Sequence, residues 1–282
     1  MAGHILRNMT RNTNTKFNDR LMMMTAMKKW AILPILYSAL SLLAACGGED
    51  PDPNGGNNGG NNGGNNGGTS ELPAAWSQFN SDLNIYLDGD FVVVETTDIP
   101  DHPSPYFGEG DPNYEAYNSP DFRQNPSLIG EQNITFRIPV DPAEAGSKSS
   151  TQLGPIGVAV NGVIFFNQYA GPDQPLTDEI ISFDQYNGHP NNQSAYHYHI
   201  EPLFLSSQYG QDALMGFLLD GFPVYGPMEN GQTVSNADLD EYHGHTGVTA
   251  DYPNGIYHYH ITANDPYING GQYFGTAGTV TF

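Results

Sequence analysis

Four of the chain's nine histidines stand in two copies of one quartet. "SAYHYHIEP" occupies residues 194–202 and "GIYHYHITA" residues 255–263. Alternate side chains of an extended chain share a face. His197 and His199 therefore point one way and Tyr196 and Tyr198 the other, and His258 and His260 stand against Tyr257 and Tyr259 in the same manner. Two residues of strand rise about 6.5 Å, and two imidazoles at that spacing can lean onto one metal ion at about 2.0–2.1 Å per bond. Each quartet thus offers two ligands and needs a third.

A longer repeat supplies it. "DQYNGHPNNQSAYHYHI" begins at Asp184 and "DEYHGHTGVTADYPNGIYHYHI" at Asp240. Both read Asp-x-Tyr-x-Gly-His, a variable loop, then Tyr-His-Tyr-His-Ile, so His189 corresponds to His245. One quartet alone would read as packed rings bonded to carbonyls or carboxylates. Two matched sets, His189/His197/His199 and His245/His258/His260, point to metal ligation instead. Neutral imidazoles suit a transition metal (zinc, copper or iron) better than calcium or magnesium. The quartets could lie side by side as one cluster of four histidines, or each half could build its own three-histidine site. Tyr196, Tyr198, Tyr257 and Tyr259 read as core or as residues backing the ligands. Asp184 and Asp240 either orient histidines or start turns. His243, matched by Asn187 in the first half, reads as a solvated loop residue.

The elements that must position these residues are strands. "NIYLDGDFVVVETT", "IGVAVNGVIFFN" and "LMGFLLDGFPVYGP" each place Asp-Gly or Asn-Gly between apolar runs, a hairpin signal. "NITFRIPV" alternates Ile134, Phe136 and Ile138 on one face. No window of a dozen residues shows a capped 3.6-residue period; "PAAWSQFNSDL" reads as a short helix and "SNADLDEY" as one helical turn. The expected fold is all-β, a sandwich or barrel-like set of antiparallel sheets with long Gly/Pro-rich loops and an internal half-repeat.

The N-terminus reads as an export leader over residues 1–46. Lys28 and Lys29 precede an apolar stretch, Trp30 to Ala45, which ends in Leu-Ala-Ala-Cys. That stretch is short for a membrane span and contains Pro34. Met27 suits a start codon, with residues 1–26 as an upstream extension. The small residues before Cys46, with Gly47 after it, resemble the lipobox of bacterial lipoproteins, which implies lipidation of Cys46. Residues 47–71, a Gly/Asn repeat, cannot bury a core and read as a flexible tether. Residues 72–282 are then a β domain carried on a lipid anchor at the cell envelope. An outer membrane is the expected site, facing the periplasm or the surface.

Six of the nine basic residues and one of the 31 acidic ones precede Cys46, so the remainder carries three against thirty, a net of −27. Nucleic acid needs basic residues against its phosphates and is excluded, whereas cations are favoured. With Cys46 the only cysteine, the domain has no cysteine nucleophile and no disulfide. Lys148 is the only lysine after the leader, and no nucleophile elbow, phosphate loop or dinucleotide fingerprint occurs.

The blocks "DIPDHP", "IGVAVNG", "DGFPVYGP", "DEYHGHT" and the two quartets together resemble the YHYH domain family of exported bacterial proteins, over about Val92 to Gly275. The resemblance implies a domain and no reaction. It adds His102, in the "PDH" segment, as a further candidate ligand. It also implies cysteines in relatives at the positions of Tyr186 and Tyr242; if those cysteines are bridged, the two tyrosines lie side by side here.

Three functions follow. The first is a metal-binding domain at the envelope. The second is a metalloenzyme whose three-histidine site activates water or dioxygen, with Asp184, Asp240, Glu241 or a tyrosine as proton carrier. The third is a structural module with packed histidines whose acidic surface meets a glycan or protein partner.

Overall fold

Alternation of apolar residues produces the smaller of two sheets. The computed structural model describes residues 71–282. Strands β1 (Asn84–Asp88) and β2 (Phe91–Thr96) form the Asp-Gly hairpin, and β3 (Ile134–Pro139) pairs with β2 and with the C-terminal strand Thr279–Thr281. Ile134, Phe136 and Ile138 are fully buried, as their spacing requires. The leader, Cys46 and the tether up to residue 70 lie outside the described residues. No helix among the described residues is long and apolar enough to cross a membrane.

The larger sheet is built from a duplicated chain. The first half supplies β4 (Pro155–Ala159), β5 (Ile164–Phe166), the short hairpin β6 (Tyr169–Ala170) and β7 (Gln174–Pro175), then β8 (Gly188–Pro190) and β9 (Tyr196–Tyr198). After a two-turn helix, α1 (Leu203–Tyr209), the second half repeats the series. It consists of β10 (Leu214–Leu218), β11 (Pro223–Tyr225), the hairpin β12 (Met228–Glu229) and β13 (Gln232–Thr233), β14 (Gly244–Gly247) and β15 (Ile256–His260). The eight-stranded order is β14-β15-β11-β10-β4-β5-β9-β8, which reads the same from either edge when the halves are exchanged. Antiparallel β4 and β10 meet at its centre, with Val158 opposite Phe217. An antiparallel pair has a local twofold axis, and this one relates the halves. The repeat therefore begins at "PIGVAVNG", well before Asp184.

The sheet is all-β but not wholly antiparallel. β5 pairs parallel to β9, and β11 parallel to β15. Parallel neighbours need a crossover connection, and the segments carrying the small hairpins and 3-10 turns provide it. The helices expected from "PAAWSQFNSDL" and "SNADLDEY" are 3-10 turns, Ala74–Gln78 and Asn236–Asp238.

Both sheets contribute to one apolar cluster that includes Val92, Phe136, Val158, Phe217, Tyr198 and Tyr259. Trp76 closes one side, stacked on Phe217 at 4.1 Å and 8°. The smaller sheet holds each half at its main hairpin: Thr96 Oγ1 donates to the Gly162 carbonyl, and the Gly278 N–H to the Leu219 carbonyl, both at 2.8 Å.

Candidate metal centres

Strand pairing brings each matched set of histidines together. β8 lies against β9 with His189 opposite His197, and β14 against β15 with His245 opposite His258. His199 and His260 follow two residues on, on the same face. His189 Nε2 is 3.1 Å from His197 Nε2, which is 3.1 Å from His199 Nε2. In the second half His245 Nε2 is 3.0 Å from His258 Nε2. Each half thus makes its own three-histidine group; β9 and β15 are not neighbours, and no four-histidine cluster forms among the described residues.

The other ring nitrogen of most of these histidines is committed, and the same way in both halves. His197 Nδ1 meets the Ala195 carbonyl at 3.1 Å and His258 Nδ1 the Ile256 carbonyl at 3.0 Å. His199 Nδ1 meets the Asn167 carbonyl at 2.5 Å and His260 Nδ1 the Gly226 carbonyl at 2.8 Å. His189 Nδ1 reaches Ser182 Oγ at 2.8 Å, whose own proton goes to the Glu179 carbonyl. A carbonyl only accepts, so the four rings bonded to carbonyls carry their proton on Nδ1 and turn a bare Nε2 lone pair inward, His197 and His199 towards each other. Two such lone pairs at 3.1 Å share no hydrogen and repel. A cation between them removes the conflict.

A carboxylate joins each group, and neither was read from the sequence. Glu179 Oε1 lies 3.4 Å from His189 Nε2. Glu229 Oε1 lies 3.5 Å from His245 Nε2 and 3.4 Å from His258 Nε2. In each group the four donor atoms lie within 4.8 Å of one another, so each could hold a metal ion. Ligands about 2.0–2.1 Å from a tetrahedral ion are about 3.3 Å apart, close to the spacings found. The two glutamates are not equivalent in the repeat: Glu179 precedes a 3-10 turn, whereas Glu229 is in β12. The repeat pattern therefore carries no signal for either.

Burial keeps His189, His197, His199, His258 and His260 neutral and able to ligate. Burial, then the charge of His199, pushes His189 down to about 3. Burial takes His199 and His260 to about 4 and also lowers His197 and His258. Burial raises Glu179. The buried Nε2 of His260 and Oε2 of Glu179 have no hydrogen-bond partner, which is costly unless something else meets them.

The remaining candidates have other duties. His102 joins neither group: its Nε2 meets Tyr198 Oη at 2.9 Å on the opposite face of β9. Asp184 and Asp240 touch no ligand histidine. They cap turns through the amides of Tyr186 and Gly188, and of Tyr242 and Gly244, and accept the hydroxyls of Tyr196 and Tyr257 at 2.8 and 2.9 Å. Tyr198 and Tyr259 are fully buried, and the Tyr259 hydroxyl donates to Asp220. His243 is buried rather than solvated, its Nε2 3.0 Å from Thr262 Oγ1. Its φ of 76° matches the 67° of Asn187, so the two positions share a left-handed turn that a polar ring can also fill. Tyr186 and Tyr242 precede the two outermost strands of the eight-stranded sheet and share no ring neighbour. They do not replace a cross-link.

The family described as YHYH protein matches residues 135–235 and 228–272, the span that contains both groups. The chain belongs to the YHYH family. No curated protein and no solved structure matches it. The YHYH signature is thus the end of each half-repeat, where the strand pairing assembles the histidines.

Proposed function

We propose that this YHYH protein binds two transition-metal ions, one per half, each on three imidazoles and one carboxylate, at the cell envelope. The observation that carries this is the repeated orientation of the rings: equivalent carbonyls fix equivalent Nδ1 atoms and leave Nε2 lone pairs converging beside a carboxylate oxygen. Packed structural histidines would find a partner for each buried nitrogen, and His260 Nε2 has none. The nitrogen-rich donor set favours zinc, copper or iron. The envelope placement rests on the leader and Cys46, and a lipid on Cys46 would hold the domain at the membrane.

Elemental analysis of the protein purified without added metal tests this. Two ions per chain are expected, one in each of the His197→Ala and His258→Ala variants, and none in the double variant. Absence of metal, together with unchanged stability in the double variant, would overturn it. Labelling with a radioactive fatty acid, lost in Cys46→Ser, tests the anchor.

A further inference from the structure

The two groups share a ligand scheme and differ in what surrounds it. Phe166 stacks on His197 at 4.0 Å and 25°. Its counterpart Tyr225 meets His258 edge-on at 5.3 Å, and its hydroxyl lies 2.8 Å from both Asp251 Oδ2 and Thr249 Oγ1. Asn191, whose Oδ1 accepts from the amides of Gln193 and Ala195, is matched by Gly247. A Cβ at Gly247 would stand 3.2 Å from His258 Cε1 and 3.5 Å from Glu229 Oε1. The side chain of His189 is 3% exposed and that of His245 27%. The second half thus has glycine where the first has Asn191, and a hydroxyl where the first has the ring of Phe166. A cavity of about 410 Å³ lies beside this group, with Tyr225, Glu229, Thr249, His258 and His260 in its walls.

We infer that the second centre, and not the first, takes up a small external ligand at its ion through this cavity. The inference rests on the metal reading above. The ligand is a neutral or cationic nitrogen or oxygen donor. Asp212 and Glu229 line the cavity with no lysine or arginine, and Asp251 stands behind Tyr225. These carboxylates offset the charge of a divalent ion and disfavour an anion. The Tyr225 hydroxyl, held by Thr249 and Asp251, offers the ligand a fixed hydrogen-bonding group beside the metal. The first centre has Phe166 in that place, a ring without a hydroxyl.

The test uses the full chain loaded with cobalt(II), with cobalt counted in every sample and imidazole and azide as probes. Imidazole should change the visible spectrum with one equivalent per two cobalt ions, at least tenfold more tightly than azide. The change should persist in His197→Ala, disappear in His258→Ala, and weaken at least tenfold in Gly247→Asn, which installs the residue of the first half. A change that survives in His258→Ala, a preference for azide, or no change in a chain holding two cobalt ions would overturn the inference while leaving the metal reading intact. A chain that binds no cobalt would sink both.

Discussion

Which nitrogen keeps the proton decides what a histidine can do, and here the backbone decides it. Four imidazoles give Nδ1–H to carbonyls, and Ser182 Oγ holds His189 at its Nδ1. Groups that orient a ligand histidine are worth about 10–100-fold in metal affinity. Ser182→Ala should therefore weaken the first centre by about that factor and leave the second unchanged, as competition with a chelating dye would show. Protons compete too. Seven imidazoles are lowered by burial, His189 to about 3 and His199, His243 and His260 to about 4. Between those values and about 6.5 the unfolded chain binds protons that the folded chain does not, so stability falls as pH falls through that window. Asp220, raised to about 6, acts oppositely between about 4 and 6, and the other carboxyls that burial raises, Asp98, Asp184, Glu179 and Asp265, have the same opposite sign. The imidazoles outnumber them. The metal-free protein should have a lower urea midpoint at pH 5 than at pH 7, and equal midpoints would contradict the neutral, buried assignment.

At the scale of elements, the decisive contact is the seam between β4 and β10. A Cβ on Gly157 would stand 2.4 Å from the Phe217 carbonyl oxygen, and one on Gly216 2.2 Å from that of Val158. No side chain fits there, and the nearest atoms in the way are backbone. Gly157→Ala or Gly216→Ala should each cost at least about 1–3 kcal/mol in chemical denaturation, because the strands must part to admit the methyl group. The hairpins around Gly89, Gly162 and Gly221 were legible because turn chemistry is local, and so was the histidine half-repeat, because strand periodicity is. The parallel pairing of β9 with β5 was not, since it joins residues some thirty positions apart through a crossover with no signature of its own. Glu179 and Glu229 were invisible for a related reason: each reaches its group from a loop or hairpin unlike its counterpart in the other half. His102 showed the reverse failure. It looked like a ligand by its block and is a partner of Tyr198.

For the whole molecule, two groups set in separate halves should act as additive weights on stability. A ligand present at a hundred times its dissociation constant stabilises by about 2.7 kcal/mol per site. Chelation of the metal-loaded protein should therefore lower its thermal midpoint in two increments. His197→Ala and His258→Ala should each abolish one increment, which scanning calorimetry would resolve. A single increment shared by both sites would show the halves to be energetically coupled across the β4/β10 seam.

The enclosure of the first group bears on history as well as affinity. His189, His197 and His199 are buried behind the rings of Phe166 and Phe183. An ion reaches them most easily before those rings close, while the chain is still folding. On the metal reading proposed above, the ion's identity would then record which metal was abundant where folding took place, more than which metal binds tightest at equilibrium. Refolding in zinc followed by copper should give a different occupant from refolding in the reverse order, a memory the more open second group should lack.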